Sequence, residues 1–174
     1  MTQRRIYQNE YPYFITFRTQ EGCPLFEETK HAKLLSKIIF RTGQMKRFGI
    51  LSYQIMPDHV HILTMSAGRD TRARGGNNPL PTRVSVPAVG GNQNTISDFI
   101  YTLKSYFYNQ IRSQYNVDFP FWQKRYYTRI VNTDKYLYTV IKYIKQNPIE
   151  AELPDKYHHL PYQYINLNKI NKLL

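Results

Sequence analysis

His59 and His61 are one residue apart in the run Met56-Pro57-Asp58-His59-Val60-His61-Ile62-Leu63. On a β-strand, residues i and i+2 face the same side, so the two imidazoles stand together while Val60 and Ile62 face away. Two neutral imidazoles make half of a divalent-metal site and need a further ligand from elsewhere. The competing reading is a pair of structural or surface histidines. Tyr143 and Asn147 are four apart and share one face of any helix that contains both. The Asn147 amide oxygen is a hard, neutral ligand of the kind that suits Mg2+ or Mn2+. A phenol such as that of Tyr143, with an ordinary pKa of about 10, becomes a nucleophile beside a cation or a general base. Without such a neighbour it reads as a packed helix ring. A water-activating metal hydrolase would need a carboxylate base, and Asp58 in the Pro57-Asp58 turn is expected to point away from both histidines. His158 and His159 could complete a zinc site only if the tail approached the histidine strand. Tyr126 and Tyr127 are rival nucleophiles on opposite faces of a strand, so at most one faces the metal.

The elements that must position these groups are legible from periodicity. Tyr11 to Arg18 is rich in aromatic and β-branched residues and reads as a strand. Lys30 to Phe48 reads as a basic amphipathic helix, with Leu34, Leu35, Ile38 and Ile39 at helical spacing and Gly49 as its stop. Ile50 to Met56 and His59 to Met65 form a hairpin around Pro57-Asp58. Thr95 or Ser97 caps a helix to about Tyr115, with Ile96, Phe99, Ile100, Leu103, Phe107 and Ile111 on one side. Tyr126 to Val131 is a last strand. Asn132 or Thr133 then caps a helix from Asp134 to about Gln146, ended by Asn147-Pro148. This order predicts an α+β fold: a split βαβ arrangement with an antiparallel sheet and helices packed on it.

Between the histidine strand and the next helix, residues 66–94 hold five of the eight glycines, three of the ten prolines and no aromatic residue. Arg69, Arg72, Arg74 and Arg83 against Asp70 give the segment a charge of +3. It reads as a flexible basic loop, either a tolerated insertion or an arm that orders on DNA through residues such as Arg72 and Arg74. The 174 residues are thus expected to form one domain, 1–174, with this excursion inside it and a divergent tail at 157–174. Lys and Arg number 24 against 12 Asp and Glu, a net charge of +12, which points to a polyanionic partner. The 26 aromatic rings are compatible with stacking on unpaired bases, although most such rings serve as core. A lone cysteine, Cys23, excludes an internal disulfide framework and a cysteine zinc cluster. The first residues carry no apolar signal region, and no apolar run is long enough to span a membrane. A cytoplasmic, nucleic-acid-facing protein is expected.

Met56-Pro57-Asp58-His59-Val60-His61 resembles the HUH signature (His, bulky apolar residue, His) of the single-tyrosine HUH transposases. Three further stretches are similar to the REP-associated tyrosine transposases: Phe121-Trp122-Gln123-Lys124-Arg125-Tyr126-Tyr127, then Arg129-Ile130-Val131, then Tyr143-Ile144-Lys145-Gln146-Asn147-Pro148 with Ala151 and Leu153 beyond. The resemblance covers roughly residues 11–155 outside the loop. It implies a ferredoxin-like, RRM-like sheet of four antiparallel strands, the HUH endonuclease fold. It also implies metal-dependent cleavage and rejoining of single-stranded, hairpin-forming repeat DNA in a bacterial cytoplasm, by a monomer or homodimer. On that resemblance His59, His61 and Asn147 are the Mg2+ or Mn2+ ligands and Tyr143 is the nucleophile that forms a 5′-phosphotyrosine. The Asn-Pro ending leans toward a tyrosine acting in cis. Lys104, in its Leu-Lys-Ser-Tyr context, together with Arg125 and Arg129, are expected phosphate contacts, or else solvated surface. Trp122 reads as a core anchor before a stacking platform. The rival class is a non-catalytic binding module, either RRM-like or a degenerate transposase. The first lacks an RNP-type aromatic string, and the second is hard to reconcile with intact His59, His61, Tyr143 and Asn147.

Overall fold

A computed structural model of the chain describes residues 11–66 and 94–173, so the basic loop with Arg72 and Arg74 lies outside the described residues. In chain order the elements are β1 (Tyr13–Thr19), α1 (Thr29–Lys46), β2 (Phe48–Ile55), β3 (His59–Ser66), α2 (Ile96–Tyr115), β4 (Trp122–Ile130), α3 (Asp134–Glu150), β5 (Gln163–Ile165) and α4 (Leu167–Ile170). The strands form one antiparallel sheet in the order β4-β1-β3-β2-β5. Alternation along the strands divides the side chains between two cores. Ile15, Phe17, Val60 and Ile62 pack with Leu35 and Ile39 of α1 and Phe99, Leu103 and Phe107 of α2. On the reverse face Phe14, Leu51 and Leu63 pack with Leu137, Val140 and Ile144 of α3 and Ile170 of α4. The α+β class and the antiparallel sheet agree with the periodicity. Among the described residues no helix is long and apolar enough to cross a membrane.

Helix starts follow local chemistry. Thr95 and Asp98 form a reciprocal capping box at α2, and the Thr133 hydroxyl accepts from the Tyr136 N–H at α3. Four expectations need correction. The sheet has five strands, because the tail returns to the β2 edge: Tyr157 and Tyr162 are buried, the Ile55 N–H donates to the Tyr162 carbonyl, and Gln163 to Ile165 pair with β2. Three residues are too few to leave a period-two signal. The helix of Tyr143 continues through Pro148 to Glu150; the proline ring is buried, and the Ala151 N–H still reaches the Asn147 carbonyl, so one lost bond does not end the helix. Gly49 is not the stop of α1. Arg47 takes the left-handed conformation (φ 56°), so the chain turns early enough to bury Phe48, and Gly49 lies in β2. Finally, β4 starts at Trp122 rather than Tyr126, because Lys124 and Arg125 on this exposed edge strand hide its apolar face.

Helix α1 lies close on β2 at Gly43. A Cβ there would sit 2.7 Å from the Phe48 carbonyl oxygen and 3.3 Å from Ile50, whereas a Cβ at Gly49 would keep 3.7 Å from the nearest backbone oxygen. Although alanine is the better helix former, Gly43→Ala is expected to destabilise the protein by about 1–3 kcal/mol through overpacking. Gly49→Ala is expected to leave the urea midpoint near wild type. Equal midpoints for both variants would refute the close helix–sheet approach.

Candidate active site

The α3 face of the sheet carries the polar residues. Antiparallel pairing sets Thr16 of β1 opposite His61, Arg18 opposite His59, and Gln54 of β2 opposite His61 on the other side. Next to β1, Tyr127 is opposite Thr16 and Arg129 opposite Phe14. His61 therefore sits in mid-sheet, 2 % exposed, with Nδ1 fixed 2.8 Å from the Thr16 hydroxyl. Its ring stacks on Phe14 (5.7 Å between centroids, 18° between planes) and stands nearly perpendicular to His59 at 4.8 Å. Burial, with His59 and Arg18 adding a smaller effect, pushes its pKa down to about 3.

His59 begins the strand, and its Nδ1 lies 2.5 Å from the Asp58 carboxylate, which also lies 3.8 Å from the Arg18 guanidinium. Asp58 thus turns toward His59, contrary to expectation, since the tight turn leaves its side chain alongside the first ring of the strand. Desolvation outweighs Asp58 and holds the His59 pKa below its ordinary value, so the contact joins a carboxylate to a neutral imidazole. The Nδ1–H then donates to Asp58 and leaves Nε2 as the lone-pair nitrogen.

Helix α3 delivers the phenol. Its buried stripe of Leu137, Val140, Ile144 and Pro148 faces the sheet, and Tyr143 at the border of that stripe is 40 % exposed. The Tyr143 hydroxyl lies 3.3 Å from His61 Nε2 of the same chain, and its ring meets His61 and Phe14 edge-on at 5.1 and 5.9 Å. Asn147, half-buried, follows one turn later on the same helical face. Two imidazoles with anchored Nδ1 atoms are a donor pair of the kind that fits a divalent cation, and an amide is the type of group that could add a hard ligand. Among the described residues no three His, Cys, Asp or Glu side chains cluster as a metal site.

The remaining expected contacts are divided between the faces. Arg129 stands on the His–Tyr face, its Nε donating to the Tyr127 hydroxyl at 2.6 Å, and Arg125 is exposed one residue before Tyr126. Tyr126 points the other way and shares a 2.8 Å hydrogen bond with Ser97 of α2, so of the two rival tyrosines only Tyr127 is on the histidine side. Lys104 is on the α2 face: its ammonium donates to the Gln123 carbonyl at 2.6 Å, lies over the Phe17 and Trp122 rings, and is pushed by burial to a pKa of about 8. His159 sits 3.3 Å from Asp155 in the tail. Thr16, Phe14 and Arg18 belong to the site but drew no notice in the sequence. Setting Tyr13 to Thr19 against the histidine strand with Thr16 opposite His61 is the signal that exposes them.

No family model matches the chain, and no curated protein matches it by sequence. Among solved structures it is similar to a REP-associated tyrosine transposase bound to a REP hairpin, at 17 % identity and a TM-score of 0.64, over 94 % of this chain and 81 % of that one. A Deinococcus radiodurans protein assigned as a transposase aligns at 19 % identity and a TM-score of 0.46, over 88 % and 98 % of the two chains. A bacterial tRNA(His) guanylyltransferase-like protein in complex with GTP aligns at 14 % identity and 0.43, over 87 % and 71 %. The first of these establishes the fold: an antiparallel sheet with helices packed on it, in the arrangement of a REP-associated tyrosine transposase.

Thr16→Val keeps the side-chain shape and removes the hydroxyl, leaving His61 Nδ1 buried without its partner. A loss of about 1–3 kcal/mol is expected in urea unfolding. Unchanged stability would show that the 2.8 Å contact does not hold the ring.

Proposed function

We propose that the protein is a metal-dependent nuclease and strand-transferase for single-stranded DNA, of the REP-associated tyrosine transposase type, acting on hairpin-forming DNA. The observation that carries the reading is the Tyr143 hydroxyl 3.3 Å from His61 within one chain, next to a second histidine anchored by Asp58. The fold shared with a hairpin-bound transposase supports it, as does the net charge of +12.

His59, His61 and Asn147 would hold Mg2+ or Mn2+. That ion would supply charge stabilisation at a non-bridging oxygen of the scissile phosphate and orient the phosphate for in-line attack. Tyr143 Oη forms a bond to phosphorus as the bond from phosphorus to the 3′-oxygen breaks. The product is a 5′-phosphotyrosine, and the departing 3′-oxygen takes a proton to become a hydroxyl. The phenol's own proton is released to solvent, to which the Tyr143 side chain is partly exposed, since the His61 Nε2 lone pair would be committed to the ion. A second 3′-hydroxyl attacking the phosphotyrosine reverses these bond changes and rejoins a strand without ATP. Because nucleophile and histidines belong to one chain, a monomer contains the complete set. Arg125 and Arg129, and Arg72 and Arg74 of the loop, would bind phosphates.

The test is a denaturing gel of protein with labelled single-stranded hairpin DNAs, with and without Mn2+. Wild type is expected to give a covalent band that chelation by EDTA removes. Tyr143→Phe should form none, and the His59→Ala, His61→Ala double variant should lose cleavage yet retain binding. A covalent band with Tyr143→Phe would refute the nucleophile, and cleavage by the double variant would refute the metal role. Binding across hairpins with no adduct from wild type would leave a non-catalytic nucleic-acid-binding module.

A further inference from the structure

On the opposite side of the sheet from the histidines, α2 and edge strand β4 enclose an open groove of about 450 Å³. Tyr101, Tyr108, Phe121, Trp122 and Tyr126 line it, with the ammonium groups of Lys104 and Lys124 and no carboxylate. Tyr101 is 76 % exposed, an aromatic face displayed to solvent on a rigid helix. The Tyr126–Ser97 hydrogen bond joins strand to helix across the groove wall, and Lys104 is pinned by the Gln123 carbonyl, so the cavity is preformed. Flat apolar walls with cations and no anion are complementary to a planar ring that carries a phosphate, and mismatched to an acidic or purely aliphatic partner.

We infer that this groove is a second nucleic-acid site, one that takes an unpaired base by stacking on Tyr101 while Lys104 and Lys124 meet its flanking phosphates. The inference rests on the proposed reading that the partner is single-stranded DNA, and adds a place where a base outside the scissile step is held. Lys104 favours such a partner, because its ammonium is partly desolvated in the groove and an adjacent phosphate would compensate that loss of hydration. The position is suited to it as well. β4 is the sheet edge, two strands or about 10 Å from the histidine strand. A single strand passing around that edge reaches Arg129 and Tyr127 on one face and the groove on the other.

Trp122 is the only tryptophan in the chain and lines the groove, so its emission reports occupancy. The probe is a short oligothymidylate, which forms no hairpin, titrated into full-length protein in EDTA so that no cleavage occurs. A saturable change in Trp122 emission is expected for wild type and for Tyr143→Phe. Tyr101→Ala should weaken binding roughly tenfold, with an unchanged thermal midpoint because the ring is exposed. Lys124→Ala should weaken binding and reduce the salt slope by about one phosphate. Oligothymidylate bound by anisotropy with silent Trp122 emission, or bound equally well by Tyr101→Ala, would overturn the inference. So would an emission change produced by raising protein concentration alone, which would assign the groove to a second copy. A Mn2+-dependent Tyr143 adduct with a silent Trp122 would remove this site and leave the proposed function standing. A Trp122 response without any adduct would do the reverse.

Discussion

The antiparallel register of β1 against β3 is the constraint on which the site depends. It sets Thr16 opposite His61 and Arg18 opposite His59, and so decides which polar groups share the interior with two imidazoles. A slip of one residue would turn His61 into the α1–α2 core, where nothing polar on β1 would meet it. Such a slip would also expose Ile62 and Val60, so the apolar alternation that builds the larger core locks the geometry of the candidate site at the same time. The hydrogen bond between Thr16 and His61 Nδ1 then fixes a ring already held between Phe14 and His59.

The two faces of the sheet divide the work. The α1–α2 face buries the larger set of side chains, including all twelve of the largest fully buried ones among the described residues, Phe17, Phe26, Tyr53 and Phe107 among them. The α3 face has a smaller core confined to one end, in which Leu51, Leu63, Val140 and Ile144 hold the helix down. That leaves the rest of the face to His59, His61, Arg18, Gln54 and Thr16. Burial is thus concentrated on the face away from the histidines, and α3 is anchored firmly enough to position Tyr143 while its ring stays partly open to solvent.

The strands with two covered faces and the long amphipathic helices were readable, because burial imposes a period that composition reveals: α2 from Ile96 to Tyr115 and the His59–Met65 strand are examples. Edge elements are legible only in part: Tyr126 to Val131 reads as a strand, but the start of β4 at Trp122 and the whole of β5 do not. β4 is charged on its outer face and β5 is three residues long, so each depends on a partner strand that local pattern does not name. The same divide runs through the site. The spacing of His59 with His61 and of Tyr143 with Asn147 is local and was visible, but their meeting spans 82 positions between His61 and Tyr143. Thr16 went unnoticed because a threonine in a strand has no chemical signature until its cross-strand partner is known. Asp58 was misjudged because side-chain direction in a two-residue turn is set by the turn's dihedral angles and not by alternation.

The two histidines are backed differently, and the difference has a chemical consequence. His59 Nδ1 meets a carboxylate that itself neighbours Arg18, whereas His61 Nδ1 meets a neutral hydroxyl deeper in the sheet. A carboxylate behind an imidazole increases electron density at the far nitrogen and makes it the stronger donor to a cation. Desolvation at His61 acts against any positive charge on the ring, which favours the neutral imidazole. His59 lies at the mouth of the turn, while His61 lies within reach of the Tyr143 hydroxyl. The asymmetry leaves one ring backed by charge and the other, backed by a neutral hydroxyl, beside the Tyr143 phenol.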